Sequence, residues 1–279
     1  MTSLPPVFVP LKGGLGNQMF EIAGGYAYAR REGGQLELLR LDRCGDRPVS
    51  WDTFFVSLMP YLVTSPRHVM PIWYEPTATK YVTPPSLTQE GQCLDGYMQS
   101  SKYFADAAEE IRTLFRPPRQ LEVAVEEKYA YFLSQTSRVV VMHARRTDYL
   151  LNQAVHAPLL GDYYAKAIKY VFAKVDKPLF MLVSDDPSFW GSIEPQISEV
   201  FQGEFHILKG VSEVETMILL QRFKYFVMSN STFIWWAAWL ANPTKEDGQV
   251  WAPSRWFGPK GPSEWQDVYE AEWEIIPCD

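Results

Sequence analysis

Cysteine is scarce in this chain, histidine nearly as scarce, and positive charge is in deficit. The three cysteines, Cys44, Cys93 and Cys278, are far apart and odd in number, and no pair has metal-ligand spacing. They read as reduced thiols of a cytoplasmic protein rather than as a disulfide framework or a zinc module. A formal net charge of -7 argues against a general nucleic-acid binder, which carries a basic excess, but it leaves room for a local basic pocket. No apolar run reaches the roughly 18 residues of a membrane span. The longest candidate, Phe223 to Leu240, is interrupted by Lys224, Ser229, Asn230, Ser231 and Thr232. The opening residues Met1 to Pro6 lack the basic and apolar regions of a signal peptide, so the expectation is a soluble, cytoplasmic chain.

What is present is apolar material. Hydrophobic residues make up 47% and aromatics 15% of 279 residues, ample for one large core or two smaller ones. Val7 to Leu11 reads as a strand, followed by the glycine turn Gly13-Gly14-Leu15-Gly16 and a helix from about Met19 to Arg31, the opening of a Rossmann-like unit. Leu36 to Leu39 suits a second strand. Residues 40–85 are rich in Pro, Trp and Tyr, weak in periodicity, and read as loops with short helices. Cys93 to Met98 suits another strand, Ser100 to Phe115 a capped amphipathic helix, and Leu121 to Leu133 a further helix beyond the Arg116-Pro117-Pro118-Arg119 break. We expect an N-terminal domain over residues 1–135 and a C-terminal domain over 136–279.

The second half alternates more plainly. Strands are expected at 138–142, 178–183, 205–208, 225–228 and 249–252, with helices near Tyr163 to Val175, Glu213 to Gln221 and Phe233 to Leu240. Such alternation implies a mostly parallel sheet and an α/β fold. Three polar clusters fall at strand ends: His143 to Asp148, Ser184 to Asp186, and Ser229 to Thr232. Parallel strands would gather all three at one sheet edge, where ligands of open α/β sheets bind. Arg145 and Arg146 suit an anion there, because guanidinium presents a rigid fork of donors and stays charged. Ser231 and Thr232 suit a helix cap or a phosphate at a helix start. Asp185-Asp186-Pro187 suits a turn and cap, or a carboxylate receiving guanine or ribose donors. Trp235, Trp236 and Trp239 lie among alanines at helical spacing and are expected in the core. His156 and His206 are isolated and read as structural.

Taken in order, several segments resemble the α-1,2-fucosyltransferases of glycosyltransferase family 11. They are Gly13-Gly14-Leu15-Gly16-Asn17-Gln18-Met19-Phe20; Gly96-Tyr97-Met98-Gln99-Ser100 with Tyr103-Phe104; His143-x-Arg145-Arg146-x-Asp148-Tyr149; Ser184-Asp185-Asp186; Ser229-Asn230-Ser231-Thr232-Phe233 with Trp235-Trp236-Ala237-Ala238-Trp239-Leu240; and Ala252-Pro253 with Trp256-Phe257. Thr147 stands where the family commonly has Gly, and Ile234 where it commonly has Ser. Residues 40–92 carry no quotable motif.

The resemblance implies a GT-B architecture, two Rossmann-like domains facing a cleft, with GDP-β-L-fucose held mostly by the C-terminal half. It implies metal-independent, inverting transfer of fucose to O2 of a terminal β-galactoside, with no cofactor beyond the donor substrate. Negative charge would grow on the β-phosphate, and Arg145 is the first candidate to meet it, assisted by Ser231 and Thr232. His143 with Asp185 or Asp186 would hold the guanine or ribose, Asn230 would lie in the donor site, and Asn17 would contact phosphate or acceptor. Arg146 is expected to pair with Asp148 and fix the loop. Asp148 is also the candidate base, although two nearby arginines depress its proton affinity. Two other readings are a fucosyltransferase acting on a protein or another glycan, and a carbohydrate-binding module without catalysis.

Overall fold

The computed structural model describes residues 4–66, 69–200, 203–242 and 246–278, so Met1 to Ser3 of the opening segment lie outside the described residues. The chain forms two compact units. One comprises Met1–Arg119 with Glu264–Glu270, the other Gln120–Ser263 with Ala271–Asp279.

In the first unit, strand β1 (Pro6–Val9) leads into helix α1 (Leu15–Glu32). The helix starts well before the expected Met19. Gly13 takes φ +67°, a left-handed conformation that side chains resist, and a Cβ there would stand 2.6 Å from Asn17 Nδ2. Gly13 and Gly14 therefore turn the chain straight into the helix, and Asn17 and Gln18 belong to its first turn rather than to a loop. Strands β2 (Gln35–Leu39), β3 (Leu62–Val63), β4 (Ile72–Tyr74) and β5 (Gln92–Asp95) complete a sheet whose pairs are all parallel, in the order β3-β2-β1-β5-β4. β3 and β4 fall in the stretch read as loops. They are too short for a period of two to show.

The helix expected over Ser100 to Phe115 is interrupted. Two 3-10 turns, Ser101–Tyr103 and Ala105–Ala107, precede α2 (Ala108–Leu114). The interruption accompanies long-range contacts: Tyr103 donates its hydroxyl to Glu75 at 2.9 Å, while Phe104 packs on Phe20 with ring centroids 6.2 Å apart. Tertiary packing overrides local helix preference here. The following helix is also divided, into α3 (Arg119–Lys128) and the single turn Ala130–Leu133.

The second unit contains β6 (Val139–Ala144), α4 (Thr147–Leu151), α5 (Gly161–Lys174), β7 (Leu179–Ser184), α6 (Pro187–Val200), β8 (Glu204–Ile207), α7 (Glu213–Leu220), β9 (Tyr225–Val227), α8 (Thr232–Ala241), β10 (Gln249–Pro253) and β11 (Glu274–Ile276). The order is β8-β7-β6-β9-β10-β11, with every pair parallel. Counted within the unit this is 3-2-1-4-5-6, the dinucleotide-fold order. The five expected strands are present, and β11, not β10, is the last. β6 is buried at every position, as a central parallel strand covered on both faces must be. Trp235 and Trp236 are fully buried, with Trp235 stacked on Trp239 at 6.1 Å, so the α8 tryptophans are core. Among the described residues, no helix is long and apolar enough to cross a membrane.

Candidate active site

The strand order of the second sheet reverses between β6 and β9, which are hydrogen-bonded neighbours. Their carboxyl ends are where a parallel sheet opens a crevice. Ala144 stands in register with Ser184 of β7, so the three polar clusters do gather along one edge.

His143 occupies the crossover itself. It is buried on β6 rather than beyond it, and its Nδ1 lies 2.8 Å from Ser229 Oγ at the end of β9. Burial pulls its pKa down to about 3, against the raising effect of Asp185, so the imidazole is neutral at physiological pH. Ser229 was legible in the Ser-Asn-Ser-Thr cluster, but its pairing with His143 required the sheet order.

Arg145 follows β6. Its Nε and Nη2 each donate to Asp148 at 2.9 Å, and its Nη1 lies 3.3 Å from Asp185 Oδ2. Burial would lower the guanidinium pKa, but the Asp148 hydrogen bonds and the two carboxylate charges outweigh it and raise the pKa. Those contacts occupy three of five N–H bonds and leave two to meet a ligand.

The partner of Asp148 is thus Arg145, not Arg146 as expected. A turn of helix α4 places Asp148 three residues on, beside Arg145, while Arg146 points elsewhere. It donates from Nη1 to the Leu159 carbonyl at 3.1 Å and lies 4.2 Å from the Phe189 ring centroid. Asp185 braces the same loop: it accepts from Arg146 N at 2.8 Å and from the Thr147 hydroxyl. Thr147 therefore adds a contact that glycine could not make. Asp186 accepts from Ser188 N at 3.1 Å and caps α6.

Asn230 is buried, and its Nδ2 donates to the carbonyls of His156 and, at 2.8 Å, Trp256. Its own carbonyl accepts from Tyr149 Oη at 2.7 Å, and Tyr149 stacks on His156 at 4.5 Å. The loop after β9 and the loop after β6 are pinned together by these bonds. Ser231 is the N-cap residue of α8 and makes no side-chain cap bond, and the first turn, beginning at Thr232, carries no acidic residue. That end presents a partial positive charge. Asn17 lies in the other unit, in the first turn of α1, where its Oδ1 accepts from Gln99 Nε2 at 3.1 Å. Among the described residues no group of three or more His, Cys, Asp or Glu is arranged to hold a metal ion.

A doubly wound sheet with an arginine held at its crossover, beside a helix start of partial positive charge, fits the GT-B class of glycosyltransferases. The solved NodZ alpha-1,6-fucosyltransferase soaked with GDP-fucose has this fold: TM-score 0.54 at 15% identity, covering 85% of this chain and 93% of that one. The model of glycosyl transferase family 11 matches residues 74–277, and the chain belongs to that family. Similar curated proteins are an alpha-1,2-colitosyltransferase of Escherichia coli, 26% identical over 90% of this chain and 92% of its own, and a galactoside 2-alpha-L-fucosyltransferase of Caenorhabditis elegans, 26% identical over 85% and 69%.

Proposed function

We propose that the protein transfers L-fucose from GDP-β-L-fucose to O2 of a terminal β-galactoside, with inversion and without a metal. The observation that carries this reading is Arg145, gripped by two carboxylates with two N–H bonds unspent at the crossover of a dinucleotide-type sheet. The family match and the galactoside-specific relative support the sugar and the acceptor.

In this reading the acceptor hydroxyl attacks the anomeric carbon while the bond to the β-phosphate breaks, its electron pair leaving with GDP and the hydroxyl proton passing to solvent. Arg145 and the start of α8 at Ser231 and Thr232 meet the growing phosphate charge. Neutral His143 contacts the guanine or ribose through the ring nitrogen that Ser229 does not engage. Asp148 and Asp185 hold the guanidinium, and Asp186 and Asn230 hold the loops. Asp148 is then an orienting group rather than a base, since its carboxylate already receives two charged hydrogen bonds. Asn17 contacts phosphate or acceptor from α1.

Incubation with GDP-fucose and a panel of β-galactosides, with product linkage read by NMR, tests the proposal. An α-1,2-linked fucosyl-galactose is expected; no transfer to any β-galactoside contradicts it. The colitosyltransferase relative favours one second reading, transfer of colitose, which is fucose without its 3-hydroxyl. A site that hydrogen-bonds that hydroxyl rejects the deoxy sugar by about 10⁴-fold, so paired assays with GDP-fucose and GDP-colitose separate the two.

A further inference from the structure

The first unit has its own crossover, between β1 and β5, and the groups there are of a different kind. Lys12 follows β1 and Asp95 ends β5. The Lys12 ammonium pairs with the Asp95 carboxylate, and both side chains stay partly open, at 39% and 28% exposure. Lys12 Nζ also lies 5.8 Å from the centroid of the Tyr97 ring. Tyr74, the register partner of Asp95 on edge strand β4, is 65% exposed.

One buried and one half-buried carboxyl group support this array from behind. Glu75 accepts from Met98 N at 2.8 Å and from Tyr103 Oη at 2.9 Å, fixing the segment that carries Tyr97. Gly96 permits the approach, because a Cβ there would stand 2.2 Å from Glu75 Cβ. Glu21 is fully buried and accepts from Lys12 N at 2.8 Å, yet its Oε1 has no partner. Burial raises the proton affinity of both Glu21 and Glu75, which leaves Asp95 as the accessible carboxylate.

We propose that Lys12, Asp95, Tyr97 and Tyr74 form a subsite for a neutral pyranose of the acceptor. This rests on the glycosyl-transfer reading above. A carboxylate accepts from vicinal sugar hydroxyls, an ammonium donates to sugar oxygens, and tyrosine faces cover the apolar C–H face of the ring. The Asp95 carboxylate already pairs with the single lysine, which disfavours a phosphate, so a nucleotide does not suit this position.

The test is steady-state kinetics of Asp95→Asn and Tyr97→Ala with lactose and GDP-fucose, with GDP titrated into each variant by calorimetry. The subsite predicts an acceptor KM raised about tenfold or more in Asp95→Asn, the scale of a lost charged hydrogen bond. KM for GDP-fucose and GDP affinity should stay within about twofold, because the nucleotide grip lies elsewhere. An acceptor KM within about twofold of wild type in Asp95→Asn overturns the proposal. If Asp95→Asn lacks a cooperative thermal unfolding transition, Tyr97→Ala decides by the same criterion; a folded Asp95→Asn that has lost GDP binding also overturns the proposal. A wild-type enzyme with no transfer to any β-galactoside would instead fail the reading of function, an outcome visible before any variant is made.

Discussion

Both sheets reverse their strand order beside their first strand but arm that crossover with opposite chemistry. Around the ends of β6 and β9 stand Arg145, the start of α8 and a neutral histidine. Around the ends of β1 and β5 stand Glu21, Glu75 and Asp95 with a single lysine. Topology supplies each crevice, and side-chain charge decides what it suits. The first collects donors that an anion needs; the second collects acceptors that hydroxyls need. In both, carboxylates act as much by holding a cation in place as by facing a ligand.

The largest effect that would sharpen this contrast is expected at Arg145. Arg145→Ala should cost about 10³-fold in turnover, the scale of a lost transition-state donor. Melting should stay close to wild type, since Asp185 keeps Arg146 N and Thr147 as partners. Turnover within about tenfold of wild type would remove the anion grip from the comparison.

The His143–Ser229 pair comes next. Ser229→Ala leaves a buried ring nitrogen without its partner and should lower unfolding free energy by about 1–3 kcal/mol in denaturant titrations. The pH dependence has a definite sign. Below pH 6.5 the unfolded chain protonates this histidine while the folded one, with pKa about 3, does not. Stability contributed by keeping the ring neutral is therefore lost as pH falls from 6.5 towards 3, at about 1.4 kcal/mol per pH unit at most. His143→Gln should flatten that part of the stability profile. An identical slope in both proteins would contradict the buried neutral ring.

The smallest effect lies at the acidic crossover. Glu21 holds its proton above the ordinary carboxyl range, so its contribution to stability falls as pH rises above 4.5. Glu21→Gln removes that liability and places an amide beside Gln18, whose buried Oε1 also lacks a partner. Thermal unfolding at pH 8 should show a gain of up to about 1 kcal/mol over wild type, shrinking towards pH 4.5. A loss at pH 8 would mean that Glu21 is ionised and paired.

Much of the crossover at β6 and β9 is legible in the sequence. Val139 to Met142 is an unbroken apolar run, and the charged cluster after it marks a strand end whatever the tertiary structure. The order of family motifs then located Arg145, and the fold bears out the GT-B class. What did not show was who holds whom. Arg145 and Arg146 are adjacent and chemically alike, and only the turn of α4 decides which meets Asp148. Asp185 looked like a ligand group, yet its oxygens meet Arg145, Arg146 N and Thr147, partners set by the β6–β7 register. The first unit was harder to read. β3 and β4 are two and three residues long and have no periodicity to detect. Their neighbours Glu75 and Asp95 are 20 positions apart in the chain, so the acidic crossover exists only once the sheet is assembled.

Arg145 is proposed to grip the β-phosphate of the donor nucleotide. Calorimetric titration of wild type and Arg145→Ala with GDP and GMP tests it most directly. Wild type should prefer GDP, and Arg145→Ala should lose most of that preference while binding GMP about as well as before. An Arg145→Ala variant that keeps the full GDP-over-GMP preference would contradict it.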